Sequence, residues 1–264
     1  MNAARSEPIV AVDVGNSRFK LGLFDAAADE RCPTPLSQLE IDPTDFDGGR
    51  ITDWLCAADV GRVSWRIASV HRGASQRLEA WLGDERGDEV RRQLRHTDLP
   101  LTIDVEHPGR VGIDRLLAAV AVNAIREPGR PAIVVDHGSA ITVDWVDTNG
   151  TFRGGAILPG IGMSARALDQ LTDQLPLVDV SDLNAPDALG RSTAAAIRSG
   201  LFWGAVGAVG ELINQLAEQA STDPQIIVTG GAGQHIAQSL HRETKFVPHL
   251  ILSGIALSEP HAPL

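Results

Sequence analysis

Cysteine is scarce in this chain: only Cys32 and Cys56 are present. Two thiols cannot build a disulfide framework, and their spacing is not that of a zinc site. Such usage fits a reducing compartment better than secretion. Basic residues are also in deficit, with 23 Lys and Arg against 34 Asp and Glu and a net charge of −11. That balance argues against a protein held on nucleic acid by phosphate contacts, while leaving room for a local nucleotide site. Tyrosine is missing altogether. The opening "MNAARSEP" has no apolar signal core, and no unbroken run reaches the roughly 18 apolar residues of a membrane span. The richest candidate, "GLFWGAVGAVGELI" (200–213), is interrupted by Gly and ends on a charge. These absences lead to the expectation of a soluble cytoplasmic protein with neither a membrane nor a nucleic-acid partner.

What is present is ordinary for a globular chain: 43% hydrophobic and 22% charged residues over 264 positions. That length can bury one large core or two modest ones. "PIVAVDVG" and "FKLGLFD" read as a strand–turn–strand hairpin. The Pro-, Asp- and Gly-rich stretch 30–50 reads as loop. "GRVSWRIASVH" reads as a strand and "ASQRLEAWLGDE" as an amphipathic helix; the charged stretch 86–96 reads as a solvated helical face. An Ala/Leu-rich helix starts at Asp114 and is stopped by Pro128 and Gly129. A second β-rich opening at 131–160 includes an Asn-Gly hairpin signal at Asn149 and Gly150. Helices follow it, then the strand "QIIVTGG" with a helix behind it, and "LILSGIAL". Two β-rich openings, each followed by helices, predict a duplicated α/β unit, divided as 1–127 and 128–264.

The two openings share a turn. "VAVDVGNSRFK" (10–20) and "VVDHGSAITVDW" (134–145) both run apolar residues into Asp, skip one, place Gly, add small residues and turn apolar again. A carboxylate beside the exposed N–H groups of a tight turn suits a metal–phosphate unit, and Gly lets phosphate approach the backbone. Ser17 and Ser139 offer hydroxyls without filling the site, and Lys20 offers a compact positive charge. One such turn is often only a turn; two, opening two similar units, read as opposing jaws of a nucleotide site. A third Gly turn, "IIVTGGAG" (226–233), could face an adenosine, and "FRGGAILPG" (152–160) could bring backbone near a second ligand.

These motifs, in this order, resemble the type III pantothenate kinases of the acetate and sugar kinase, Hsp70 and actin superfamily. The resemblance is carried by "DVGNSRFKLGLFD" (13–25), "HPGRVGIDRLLAAVA" (107–121), "VVDHGSAITVD" (134–144), "GGAILPGI" (154–161), "GRSTAAAIRSGLFWG" (190–204) and "IIVTGG" (226–231). It implies duplicated ribonuclease-H-like domains in an actin-like ATPase fold, with a nucleotide cleft between them, assembled as a homodimer. It also implies phosphorylation of pantothenate by ATP with Mg²⁺ and a monovalent cation (K⁺ or NH₄⁺), the first step toward coenzyme A. Carried over by position, Asp13, Val14, Gly15, Asn16, Ser17, Arg18, Phe19, Lys20 and Ser139 bind ATP. Gly112, Ile113, Asp114, Arg115 and Thr193 bind pantothenate, Asp114 is the catalytic base, and Asp136 binds the monovalent cation.

The chemistry suits those roles. Phosphoryl transfer is loose, so catalysis comes mostly from positioning and charge neutralisation. A carboxylate at a loop-to-helix junction can orient the attacking hydroxyl and take its proton; Asp114 could equally be a plain helix N-cap. Arg115 could clamp phosphate or carboxylate, or form a surface salt bridge. Asp13 could face the metal of Mg–ATP or make a turn-stabilising hydrogen bond. Asp144 could be a further polar contact or a surface strand position. This chain has Ser17 and Ser139 where the family usually has Thr, and His137 where it usually has Phe; a buried imidazole there needs a partner. It has Val105 where the family often places a Tyr that contacts pantothenate. The alternatives are a kinase of the same superfamily acting on another small hydroxyl compound, and a non-enzymatic regulator resembling accessory factors of the Bvg type.

Overall fold

The computed structural model describes residues 7–26, 30–182 and 184–258, so most of the opening "MNAARSEP" lies outside the described residues. The chain divides into two compact units. Unit 1 comprises Met1–Thr102, Glu106–Ile125 and His249–Leu264; unit 2 comprises Ile103–Val105 and Arg126–Pro248.

Unit 1 opens with β1 (Ile9–Val14) and β2 (Phe19–Phe24), continues through β3 (Ser37–Ile41) and α1 (Gly48–Ala57), then β4 (Ser64–Ser69), α2 (Arg72–Glu85) and β5 (Arg91–Gln93). Its sheet runs β3-β2-β1-β4-β5, antiparallel across β1, β2 and β3 and parallel from β1 to β4 to β5. β1 is buried along its whole length, which explains its near-continuous apolar sequence. Val10, Val12, Phe19, Leu21 and Trp65 face Ile51 and Leu55 of α1 and Leu78 and Leu82 of α2 in one core. Two helices complete the unit, α3 (Ile113–Ile125) and, from the far end of the chain, a helix at Leu250–Leu257.

Unit 2 repeats the plan. β6 (Ala132–His137), β7 (Ala140–Val146) and β8 (Phe152–Pro159) form an antiparallel meander; α4 (Ile161–Gln170) and α5 (Thr193–Ala217) lead to β9 (Gln225–Thr229), and α6 (Gly233–Ser239) leads to β10 (Lys245–Phe246). The sheet order is β10-β9-β6-β7-β8, with β9 parallel to β6 and β10 parallel to β9. Strand for strand this is the order of unit 1, so the duplication read from two turns extends to whole-sheet topology. The expected Asn-Gly hairpin joins β7 to β8, with Gly150 at φ 84°. Phe202, Val206, Val209 and Ile213 of α5 pack with Ile133, Val135, Ile141 and Val143 of the sheet. The last helix of the chain is α7 (Leu250–Leu257).

Several expectations need correction. The segment 128–264 is not one piece, because α7 packs with unit 1. Gly254 of α7 lies so close to α3 that a Cβ there would penetrate the Leu117 carbonyl. The stretch 86–96 supplies strand β5 instead of a helix: the Trp65 N–H donates to the Val90 carbonyl at 2.8 Å, and the Trp65 indole donates to Glu89 at 2.7 Å. Completing a sheet edge and satisfying a buried indole outweigh the helical charge pattern there. The stretch 30–50 is not all loop, since it holds β3. Helix α5 is long and apolar enough to cross a membrane by length and composition, contrary to the reading of 200–213, and one of its faces packs in the core of unit 2.

Gly254→Ala should destabilise the protein by about 1–3 kcal/mol, the usual cost of forcing atoms into a close-packed interface. Urea denaturation checks this; an unchanged midpoint would mean that α3 and α7 do not pack backbone to backbone.

Candidate active site

The first turn is fixed by backbone geometry. The Gly15 N–H donates to the Arg18 carbonyl at 3.0 Å, closing the hairpin between β1 and β2. Asp13 and Val14 end β1, buried, while Asn16, Ser17 and Arg18 are exposed at the tip and Phe19 is buried at the start of β2. Asp13 and Lys20 are direct cross-strand partners, so carboxylate and ammonium share one face of the sheet. Lys20 is in turn opposite Glu40 on β3, which also pairs with Arg18 at 3.1 Å. Sequence reasoning missed Glu40, because the stretch that holds it had been read as loop.

Gly112, Ile113, Asp114 and Arg115 lie together at the start of α3, also in unit 1. Asp114 sits inside the first helical turn instead of preceding it, and its Oδ1 accepts from the Arg115 N–H at 2.9 Å. A Cβ on Gly112 would stand 2.5 Å from that same oxygen. In this position the half-buried carboxylate folds back over the loop, and a larger residue at 112 would have to displace it.

The second turn has the same construction in unit 2. The Gly138 N–H donates to the Ala140 carbonyl at 3.0 Å, and Asp136 stands near the end of β6 as Asp13 does near the end of β1. Two other glycines close in on it. The Gly160 N–H donates to the Ser139 carbonyl at 3.2 Å, and a Cβ on Gly160 would meet that oxygen at 2.5 Å. Gly230, at φ 92°, leaves no room for a Cβ between the Asp136 carboxylate and the His137 carbonyl. The stretches 152–160 and 226–233 thus converge on the second turn, the first at Ser139 and the second at Asp136, a role that their sequence alone left open. Thr193 is on a different element, the exposed first residue of α5, whose N-cap Ser192 accepts from the Ala195 N–H at 3.2 Å. Val105 lies against Gly154, whose Cβ would be 3.6 Å from it. Asp144 is 1% exposed, so it is not a surface position.

His137 is 4% exposed, and its Nε2 has no hydrogen-bond partner. Burial pushes its pKa below the usual 6.5, with a hydrogen bond to its own main chain acting weakly the other way. The ring is accordingly neutral at neutral pH, and the partner that a buried imidazole needs is not supplied on that nitrogen.

The family profile for type III pantothenate kinase matches residues 9–215. The chain belongs to that family. A type III pantothenate kinase of Rhodopirellula baltica is 40% identical over 72% of this chain and 70% of its own length. One of Persephonella marina is 37% identical over 60% of each chain. Among solved structures, a protein of Campylobacter jejuni described as a Baf-family transcriptional activator superposes with a TM-score of 0.56 at 20% identity, covering 93% of this chain and 94% of that one. A 2-dehydro-3-deoxygalactonokinase-type protein of Sinorhizobium meliloti gives 0.51 at 12% identity, covering 95% and 97%. At these identities the structural likeness establishes fold only, and the fold is the duplicated ribonuclease-H-like, actin-like ATPase fold expected from the sequence. Membership of the family makes the protein a phosphotransferase, and the family's reaction is the ATP-dependent phosphorylation of pantothenate that opens coenzyme A synthesis. ATP with a divalent metal comes with that reaction.

His137→Phe should raise stability by about 1–2 kcal/mol at pH 7.5, since it removes a buried polar atom left unsatisfied while keeping a planar ring. The folded-state pKa of His137 lies below that of the unfolded chain. Acidification below 6.5 therefore protonates the unfolded chain first, and stability falls until the folded pKa is reached. Thermal melts at pH 7.5 and 5.5 should show a wider gap between the two pH values for wild type than for His137→Phe; equal gaps would refute the assignment.

Proposed function

We propose that this chain transfers the γ-phosphoryl group of ATP to the primary hydroxyl of pantothenate, with Asp114 as the general base. The observation that carries the reading is the half-buried Asp114 carboxylate, held by the Arg115 N–H and folded back over Gly112. The hydroxyl oxygen bonds to the γ-phosphorus as the bond to the β-phosphate oxygen breaks, and the hydroxyl proton passes to Asp114. Gly112, Ile113, Arg115 and Thr193 hold the acceptor. The guanidinium of Arg115 suits either pantothenate's carboxylate or the transferring phosphoryl group.

The first turn, Asp13 to Lys20, and Ser139 of the second turn hold ATP. Mg²⁺ is usually bound by one or two carboxylates together with substrate phosphates. Asp13, 7% exposed at the end of β1, fits that demand. Among the described residues no group of three or more His, Cys, Asp or Glu could hold a metal on its own, which suits an ion carried on the nucleotide. Asp136 with the His137 carbonyl, in the cradle closed by Gly230, offers the hard oxygen donors that K⁺ or NH₄⁺ requires. Such a cation would offset negative charge beside the phosphates.

The division of labour follows the duplication: unit 1 carries the first turn and the acceptor loop, and unit 2 carries the second turn. A homodimer is supported by α5, where Gly200, Gly204 and Gly207 face open space beside the exposed Trp203. A second copy of the same helix could approach closely over that face. A cytoplasmic location follows from the substrate pair and the cysteine usage.

Asp114→Asn should lower pantothenate-dependent ADP release by roughly 10²–10⁴-fold, the range for loss of a general base, with ATP binding retained. A coupled ADP-release assay checks this. Full activity in Asp114→Asn would assign the base elsewhere.

A further inference from the structure

We propose that His249 is a positioning residue for Lys20, holding the ammonium toward the phosphates of the nucleotide; the inference rests on the reading above that places Lys20 in the ATP site. Asp13, Lys20 and Glu40 form one cross-strand row on the sheet face of unit 1 that α7 covers. The covering is fixed by Gly22, where a Cβ would meet Leu252 of α7 at 3.2 Å. Lys20 lies two residues from Gly22 on the same face of β2, and His249 lies one helical turn before Leu252. These short offsets from the Gly22–Leu252 contact keep His249 and Lys20 in one neighbourhood, and Lys20 and Glu40 are the charges that act on the ring.

The environment of the ring agrees with that placement. Burial, and after it the Lys20 ammonium, push the His249 pKa below 6.5, with Glu40 acting the other way. An unprotonated ring offers Lys20 a nitrogen lone pair. The groups facing it are thus Lys20 on β2 and Glu40 on β3, with Asp13 and Arg18 as the next charges in the row.

The backbone shows that the ring is kept in spite of a local cost. His249 has φ 57° and ψ 23°, the left-handed region that favours glycine and tolerates asparagine. It is the N-cap of α7, yet its side chain makes no capping bond. Its carbonyl accepts the first intrahelical bond, from the Ser253 N–H at 3.0 Å, and also the Ser253 hydroxyl at 3.3 Å. Glycine would serve this backbone better than histidine.

The test uses that contrast. His249→Gly keeps the left-handed backbone and removes the ring, so the melting temperature should not fall. KM for ATP should rise about 3- to 10-fold, the scale of one ordinary hydrogen bond, with KM for pantothenate unchanged. Lys20→Met should raise KM for ATP by itself, and adding His249→Gly to it should change KM less than about 2-fold, because the shared partner is gone. An effect of Lys20→Met with none of His249→Gly would overturn the inference and leave the ATP site standing. An equal effect of His249→Gly in both backgrounds would also overturn it, since the ring would then act without Lys20. No effect of Lys20→Met would overturn the placement of Lys20 in the ATP site, and the inference with it.

Discussion

Everything in this molecule depends on placing a carboxylate near the end of a buried central strand, next to a tight turn closed by a glycine. In each unit the first strand lies between an antiparallel neighbour, reached through that turn, and a parallel neighbour, reached through helices. The strand interior has to be apolar, because both faces are covered. Its Asp is the polar break in that run, and Gly15 and Gly138 each close the turn that follows by a backbone hydrogen bond. Each unit thereby sets backbone donors beside a carboxylate, an arrangement that suits a phosphate and its counter-ion.

The supporting parts differ between the units, in line with the proposed division of roles. Around the second turn the support is steric: Gly160 against the Ser139 carbonyl and Gly230 against Asp136 approach so closely that a Cβ would clash. Around Asp13 it is electrostatic, a row of alternating charge from Asp13 through Lys20 to Glu40 under the start of α7. The acceptor side adds a third arrangement, the Asp114 carboxylate folded over Gly112. A carbonyl-and-carboxylate cradle suits a hard cation, a charged row suits phosphate, and a carboxylate at a helix start suits a hydroxyl proton.

Much of this was legible because its cause is local. Asp13 to Lys20, and Asp136 to Ser139, are turns whose residues lie side by side in the chain, and the Asn149–Gly150 hairpin is of the same kind. What escaped notice depends on distant partners. Residues 86–96 carry a helical charge pattern but complete a sheet edge, with Glu89 drawn inside by the indole of Trp65. The helix 250–257 follows unit 2 in the chain yet packs on α3 of unit 1, because Gly254 lets it approach Leu117. Glu40 and His249 join Lys20 only through strand register and helix docking, and no motif could have announced them.

The most direct test of the central claim is to incubate the protein with ATP, Mg²⁺, K⁺ and pantothenate and follow phosphorus by ³¹P NMR. A phosphomonoester resonance that grows only when pantothenate is present, and that Asp13→Asn suppresses, is the result this account requires. ATP left intact, or converted to inorganic phosphate without the ester, would contradict it.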